Sequence, residues 1–231
     1  NFTQKNIISN LIKYEGNDYY LENNYNYFKI NNSLIAYDKE DLLNIIYTFI
    51  NKGTEKFSFF CSNDYFGCET DINDLMEDKS DIVYINDFIH PYNSFANINA
   101  SIKNKKITVT TTKIYSYSDI QNLNAIIKEI VDENIDNTMD IKEKIKVLHN
   151  YMILNIDYDE IYADNIKNGI KNTNESNKAT EALIKKHAVC SGYSDALSIL
   201  LNYLNIKNRK ISNNIHVWNY VLIDDTWYHI D

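Results

Sequence analysis

The end of the chain leaves little conformational choice. Ile215 to Ile223 and Thr226 to Ile230 are rich in Val, Ile, Trp and Tyr, and only Asp224-Asp225 stands between them, so they read as two antiparallel strands joined by a tight turn. If that turn has two residues, Trp218 lies opposite Asp231. His216 then shares a face with Asp231 on the diagonal, about 7–8 Å away between backbone positions, a gap that long side chains close. A three-residue turn with a bulge would move Asp231 to the other face, so the pairing depends on turn length.

Upstream, Tyr193, Ala196, Leu197, Leu200, Leu201 and Leu204 recur at the spacing of one apolar helical face, and Lys185-Lys186-His187 interrupts that rhythm. Cys190 therefore opens a helix. Unpaired N–H groups and the positive end of the macrodipole meet a sulfur in such a place, which is where reactive cysteines are commonly found. Taken singly, each residue has a plainer role: the cysteine as a small buried apolar group, the histidine as a satisfied strand residue, the aspartate as a solvated chain end. Taken together, Cys190, His216 and Asp231 form a nucleophile, a base and an orienting carboxylate.

The surrounding letters extend this pattern. His149-Asn150-Tyr151, Tyr158-Asp159, Val189-Cys190-Ser191-Gly192-Tyr193, His216-Val217-Trp218-Asn219 and Trp227-Tyr228-His229-Ile230-Asp231 follow one another in that order. From about Lys144 to Asp231 the chain resembles the transglutaminase-like superfamily, in particular bacterial members with these five motifs. Val217 stands where that family often has Ala. The resemblance implies an α+β protein with a papain-like transglutaminase core, a cysteine helix packed on an antiparallel sheet, and a catalytic triad of Cys190, His216 and Asp231. It also implies a mechanism. His216 takes the thiol proton, Asp231 holds the imidazole, and Cys190 attacks a peptide or protein amide to give a thioester, which an amine or water resolves. The Cys190 N–H is a plausible oxyanion donor. Trp218 and Tyr193 are expected to line the substrate cleft, although a core role suits the Trp218 ring equally well. The rival function is a catalytically silent surface module that binds a protein or glycan on the same scaffold.

Composition sets the outer limits. With 231 residues, of which 44% are apolar, the chain has enough material for one large or two modest cores. The expected division is an N-terminal mixed α+β domain over 1–118, positioning substrate or anchoring the enzyme, and the transglutaminase-like domain over 119–231. A formal charge of −9 without a basic cluster argues against nucleic acid as a partner. No apolar run approaches the roughly 20 residues of a transmembrane helix. No cofactor is expected. Zinc is disfavoured because there is no second Cys pair, and Asp71-Ile72-Asn73-Asp74 lacks the Gly and closing Glu of a calcium loop. Cys61 and Cys68 flank a polar turn-forming stretch and are either a small disulfide loop or two reduced thiols. The first option, with the habit of the family, points to an exported or cell-surface bacterial protein acting on surface or wall-associated peptides.

Along the remainder, strands are expected at Ser33 to Tyr37, Lys56 to Cys61, Ile82 to Ile85 and Lys106 to Tyr115, with a helix from Asp41 to Asn51. A second helix is expected over Ser118 to Glu133 with Ser118 as N-cap, and a third from Asp140 carrying His149 in a structural role. The Asn-rich stretch from Asp164 to Asn177 reads as a surface loop ahead of the cysteine helix.

Overall fold

The computed structural model describes residues 11, 12, 25, 27, 28 and 34–231. The protein is α+β, and its chain divides into two compact units, Asn1–Ile114 and Tyr115–Asp231.

In the first unit, β1 (Leu11–Ile12) pairs antiparallel with β2 (Tyr27–Phe28). A separate sheet has the order β3-β4-β6-β5, built from β3 (Ile35–Ala36), β4 (Lys56–Cys61), β5 (Phe95–Lys103) and β6 (Lys106–Lys113). Helix α1 (Lys39–Asn51) makes the crossover between the parallel pair β3 and β4. Asp38 starts it by accepting from the Asp41 N–H at 2.9 Å, the usual work of an N-cap carboxylate. Strand β4 alternates strictly, with Phe57, Phe59 and Cys61 buried and the residues between them exposed. Those rings join Ile45, Ile46, Ile98, Ile107 and Val109 in one core. A disulfide joins Cys61, at the end of β4, to Cys68 at the start of α2 (Cys68–Glu77).

Three expectations change here. Ile82 to Ile85 is helical, split between α3 (Ser80–Val83) and a 3-10 turn over Tyr84–Asp87. Ile82, Ile85 and Ile89 are the buried residues, and spacings of three and four are a helical period that outweighs the β-branched letters between them. Strand β5 was not anticipated, because Asn97, Asn99 and Ser101 dilute its apolar pattern. Of the expected strand Ser33 to Tyr37, Ser33 lies outside the described residues and β3 occupies Ile35–Ala36.

The second unit begins with α4 (Tyr117–Asn134), capped by Ser116 and not Ser118. Ser116 Oγ accepts from the Asp119 N–H at 3.1 Å while Asp119 Oδ2 accepts from the Ser116 N–H at 2.8 Å, a reciprocal capping box that places Ser118 inside the first turn. Helix α5 (Ile141–Asn155) starts in the same way, with Asp140 and Glu143. Next come β7 (Asp157–Tyr158), α6 (Glu160–Lys167), a π-helical turn over Glu181–Lys185, and β8 (His187–Ala188), which runs parallel to β7. The expected loop is thus helical as far as Lys167, because Asp159 caps α6 through the Tyr162 N–H at 2.9 Å.

Helix α7 (Cys190–Tyr203) then packs on a three-stranded antiparallel sheet of order β11-β10-β9. Its strands are β9 (Asn208–Ser212), β10 (Val217–Ile223) and β11 (Thr226–Ile230). The β10–β11 register runs from Asn219 opposite Ile230 to Ile223 opposite Thr226. The turn therefore has two residues. Asp224 and Asp225 have φ of 49° and 61°, the doubly left-handed turn whose twist matches that of the strands.

Ser116→Ala should lower the unfolding free energy by about 1 kcal/mol, the usual worth of an N-cap hydroxyl, whereas Ser118→Ala should stay within about 0.5 kcal/mol of the parent. Urea unfolding followed by circular dichroism measures both, and equal effects would contradict the assigned cap.

Candidate active site

Cys190 is the first residue of α7, directly after an extended Val189 that offers no side-chain cap. The first-turn N–H groups have no intrahelical carbonyl to bond. The approach to this helix start is tightly held. The Asp157 N–H donates to Lys186 O at 2.8 Å, the Asp159 N–H to Ala188 O at 3.0 Å, and the Val189 N–H to Ser176 O at 2.9 Å. Gly192 sits under the same loop. A Cβ there would come within 2.6 Å of Ser176 O and 2.8 Å of Ala188 Cβ, so close backbone approach demands the glycine.

Asp159 secures that loop. It accepts from the Ser176 hydroxyl, from Asn174 Nδ2 at 2.8 Å and from the Tyr162 N–H at 2.9 Å. The Ser176 hydroxyl above all, then the Tyr162 N–H and Asn174, holds the Asp159 carboxyl below its usual range against the opposing effect of burial. Gly192 and Asp159 were read in the sequence only as motif letters. The structure shows them shaping the entry to the helix.

His216 is placed from the other side. Asn213 Oδ1 accepts from the N–H groups of Ile215 and His216, both at 2.9 Å, and the Asn213 N–H donates back to His216 O at 2.9 Å. Continuing the β10–β11 register puts Trp218 across from Asp231 and leaves His216 on the same face. Nε2 of His216 lies 2.8 and 2.9 Å from the two carboxylate oxygens of Asp231. A carboxylate only accepts, so Nε2 carries a proton, and in the neutral ring the lone pair falls to Nδ1. The Asp231 side chain is 64% exposed and that of His216 38%. In that much water the pair adds little stability, and its effect is to fix tautomer and ring orientation.

Helix and strand are tied directly. Ser194 Oγ donates to Val217 O at 2.9 Å, and Asn219 Nδ2 donates to Ser194 O at 3.0 Å. Deeper still, Asp195 is buried against Lys210 Nζ at 2.7 Å and the Tyr115 hydroxyl at 2.6 Å, and that hydroxyl in turn accepts from the Ala179 N–H at 2.9 Å.

Cys190, His216, Asp231, Trp218 and Tyr193 all line one cavity of about 220 Å³, together with His149, Met152, Ile153, Tyr158 and Leu197. Cys190, Tyr193, Ser194 and Leu197 are i, i+3, i+4 and i+7, one face of α7. The indole of Trp218 stacks on the His216 ring with centroids 5.5 Å apart and donates to His229 Nδ1 at 2.8 Å. Tyr193 donates to Ile156 O at 2.5 Å. The thiol is free and half-buried. Among the described residues no hydrogen bond joins it to His216. Burial, then the nearby Cys190, pushes the Tyr158 phenol above its usual value, so it remains an O–H donor at neutral pH. Tyr158 also borders a second, more polar cleft of about 760 Å³ that includes Asp157, Glu160, Lys171, Asn172 and His187. Among the described residues no group of three or more His, Cys, Asp or Glu side chains is arranged to hold a metal.

Residues 128–231 match the family model of the transglutaminase-like superfamily. A solved structure described as a TGase is similar over 60% of this chain and 44% of its own, with 14% identity and a TM-score of 0.46. A protein of Cytophaga hutchinsonii, described as a candidate cysteine protease, is similar over 58% of this chain and 61% of its own, with 12% identity and a TM-score of 0.37. The chain thus spans less than two thirds of either. Curated proteins give no match.

Two outcomes follow from the helix entry. Gly192→Ala should cost about 1–3 kcal/mol, as overpacking does, seen as a lower melting temperature. For Asp159 the folded pKa lies below the unfolded one, so its contribution is complete above about pH 4 and fades as pH falls through the folded value. The stability gap between the parent and Asp159→Asn should therefore shrink on acidification below about pH 4 in urea titrations at stepped pH. A constant gap would contradict the assigned bonds.

Proposed function

We propose that the second unit is a cysteine enzyme of transglutaminase-like type that acts on a peptide or protein amide through a thioester acyl-enzyme. The observation that carries this reading is the His216 imidazole. Its Nε2 is held by Asp231 at 2.8 and 2.9 Å while its basic Nδ1 belongs to a ring that shares a cavity with the Cys190 thiol.

The roles follow from that geometry. Nδ1 of His216 takes the thiol proton as sulfur attacks the amide carbonyl. The S–C bond forms, a tetrahedral oxyanion appears, and the C–N bond breaks as the imidazolium returns its proton to the leaving amine. Asp231 stabilises the imidazolium throughout. A second amine or water, deprotonated by the same nitrogen, then releases the acyl group, giving transfer or hydrolysis. The backbone N–H of Cys190 is one oxyanion donor. The second in this reading is the hydroxyl of Tyr158, a residue that lines the same cavity.

The Cys61–Cys68 disulfide supports export to an oxidising compartment, where surface or wall-associated peptides are the substrates and the first unit positions them or anchors the enzyme. No helix among the described residues is long and apolar enough to cross a membrane. The rival reading, a silent binding module, draws its support from the absence of a hydrogen bond between the thiol and His216.

Iodoacetamide labelling mapped by mass spectrometry separates the two. Cys190 should be modified readily, and His216→Ala should slow that modification and reduce turnover of an amide donor with a primary-amine acceptor by about a hundredfold or more. Labelling that is indifferent to His216 would support the silent module. Tyr158→Phe keeps the ring and should cut kcat by about a hundredfold with little change in KM; an unchanged kcat removes Tyr158 from the oxyanion site.

A further inference from the structure

The chamber beside the thiol is larger and more apolar than a side-chain carboxamide needs. Its volume is about 220 Å³, whereas an apolar cavity of about 150 Å³ already admits benzene. Carbon dominates its walls, from Met152 and Ile153 on α5, Leu197 on α7, and Val217 and Ile230 on the sheet.

The polar residues that share the wall turn their polar atoms to protein partners. The Tyr193 hydroxyl goes to Ile156 O, Trp218 Nε1 to His229, Ser194 Oγ to Val217 O and Asn219 Nδ2 to Ser194 O. They offer the cavity rings and methylenes. The polar groups left for a ligand are those at the thiol end, Tyr158 and the triad, together with His149.

We infer that this chamber receives an apolar, ring-sized side chain belonging to the residue whose carbonyl is attacked, so that the acyl donor is the backbone amide of a Phe-like or Leu-like residue. This rests on the enzymatic reading above and names its substrate class. A glutamine donor reaching Cys190 through its side chain would leave only two methylenes against these walls. Unfilled apolar volume forfeits contacts on every side, whereas a phenyl ring removes the wall and itself from water together.

The chamber can be tested without chemistry. In full-length Cys190→Ala protein, Trp fluorescence reports binding of acetyl-Phe-amide, acetyl-Leu-amide, acetyl-Ala-amide and acetyl-Gln-amide. The Phe and Leu probes should bind at least about tenfold tighter than Ala or Gln, since a single methylene in an apolar pocket is worth about tenfold or more. Ile153→Trp narrows the chamber from a position that is 60% exposed, where a larger side chain is accommodated without disturbing the core. It should erase the preference while the melting temperature stays unchanged. Equal affinities, a Gln preference or no measurable binding of any probe overturns the inference. The parent protein keeps the two readings apart. If Cys190 labelling depends on His216 but Gln donors are turned over faster than Phe donors, the enzymatic reading stands and the apolar chamber does not. If labelling is indifferent to His216, the enzymatic reading fails whatever the binding series shows.

Discussion

The reciprocal bonds between Ser194 and strand β10 set the distance between the two halves of the site. Cys190 rides on a helix and His216 leads into a sheet, and apolar contact, being non-directional, does little to stop the two elements sliding by a residue. The Ser194 hydroxyl, donating a hydrogen bond to Val217 O, and the Ser194 carbonyl, accepting one from Asn219 Nδ2, fix both elements close to Cys190 and His216. Asn219 is 3% exposed, so a slipped arrangement would strand a buried amide, at a cost of about 1–3 kcal/mol. The buried Asp195–Lys210 pair repeats this from the next residue of the helix to the strand beside β10. Such pairs add little net stability but penalise alternatives, since losing one partner costs about 3–5 kcal/mol.

The sequence was most readable where local rules and tertiary demands agreed. The terminal hairpin, the apolar stripe of α7 and the placement of Cys190 at its start follow from periodicity and one turn of fixed length, and the diagonal approach of His216 to Asp231 follows from strand pleating. Legibility failed where burial reversed the ordinary meaning of a residue. Strand β9 reads Asn-Arg-Lys-Ile-Ser and looks like a solvated loop, yet Asn208 is 1% and Lys210 7% exposed. Asn208 is satisfied by Asn202 Oδ1 at 2.7 Å and Ile206 O at 2.9 Å, and Lys210 by Asp195. Asn208 finds these partners within six residues, but that of Lys210 lies on α7, fifteen residues back, where no short window of letters reveals it. Ser118 reads as a cap from its place ahead of the apolar stripe, whereas Ser116, with Asp119 three residues on, is the cap. The cavity wall was readable in hindsight, because Cys190, Tyr193, Ser194 and Leu197 already stand at one-face spacing.

The two cavities that meet at Tyr158 differ in character as well as size. One is apolar and contains the thiol, and the other is larger and carries Asp157, Glu160 and Lys171. In the first unit, the disulfide closes the loop from Ser62 to Gly67, and Phe66 in that loop is 93% exposed. Its covalent closure reduces the freedom of the unfolded chain around an otherwise polar turn.

Tyr115 marks where the second unit truly begins. It stands ahead of residue 128, the start of the family match, yet its hydroxyl bridges the Ala179 N–H to Asp195 in the middle of the cysteine helix. A recombinant fragment trimmed to the matched stretch would delete that phenol along with the Ser116 cap. It would leave a carboxylate, its lysine and a peptide N–H facing a hole in the interior. Anyone excising this module for biochemistry should cut upstream of Tyr115, or risk mistaking a wounded fold for an inert protein.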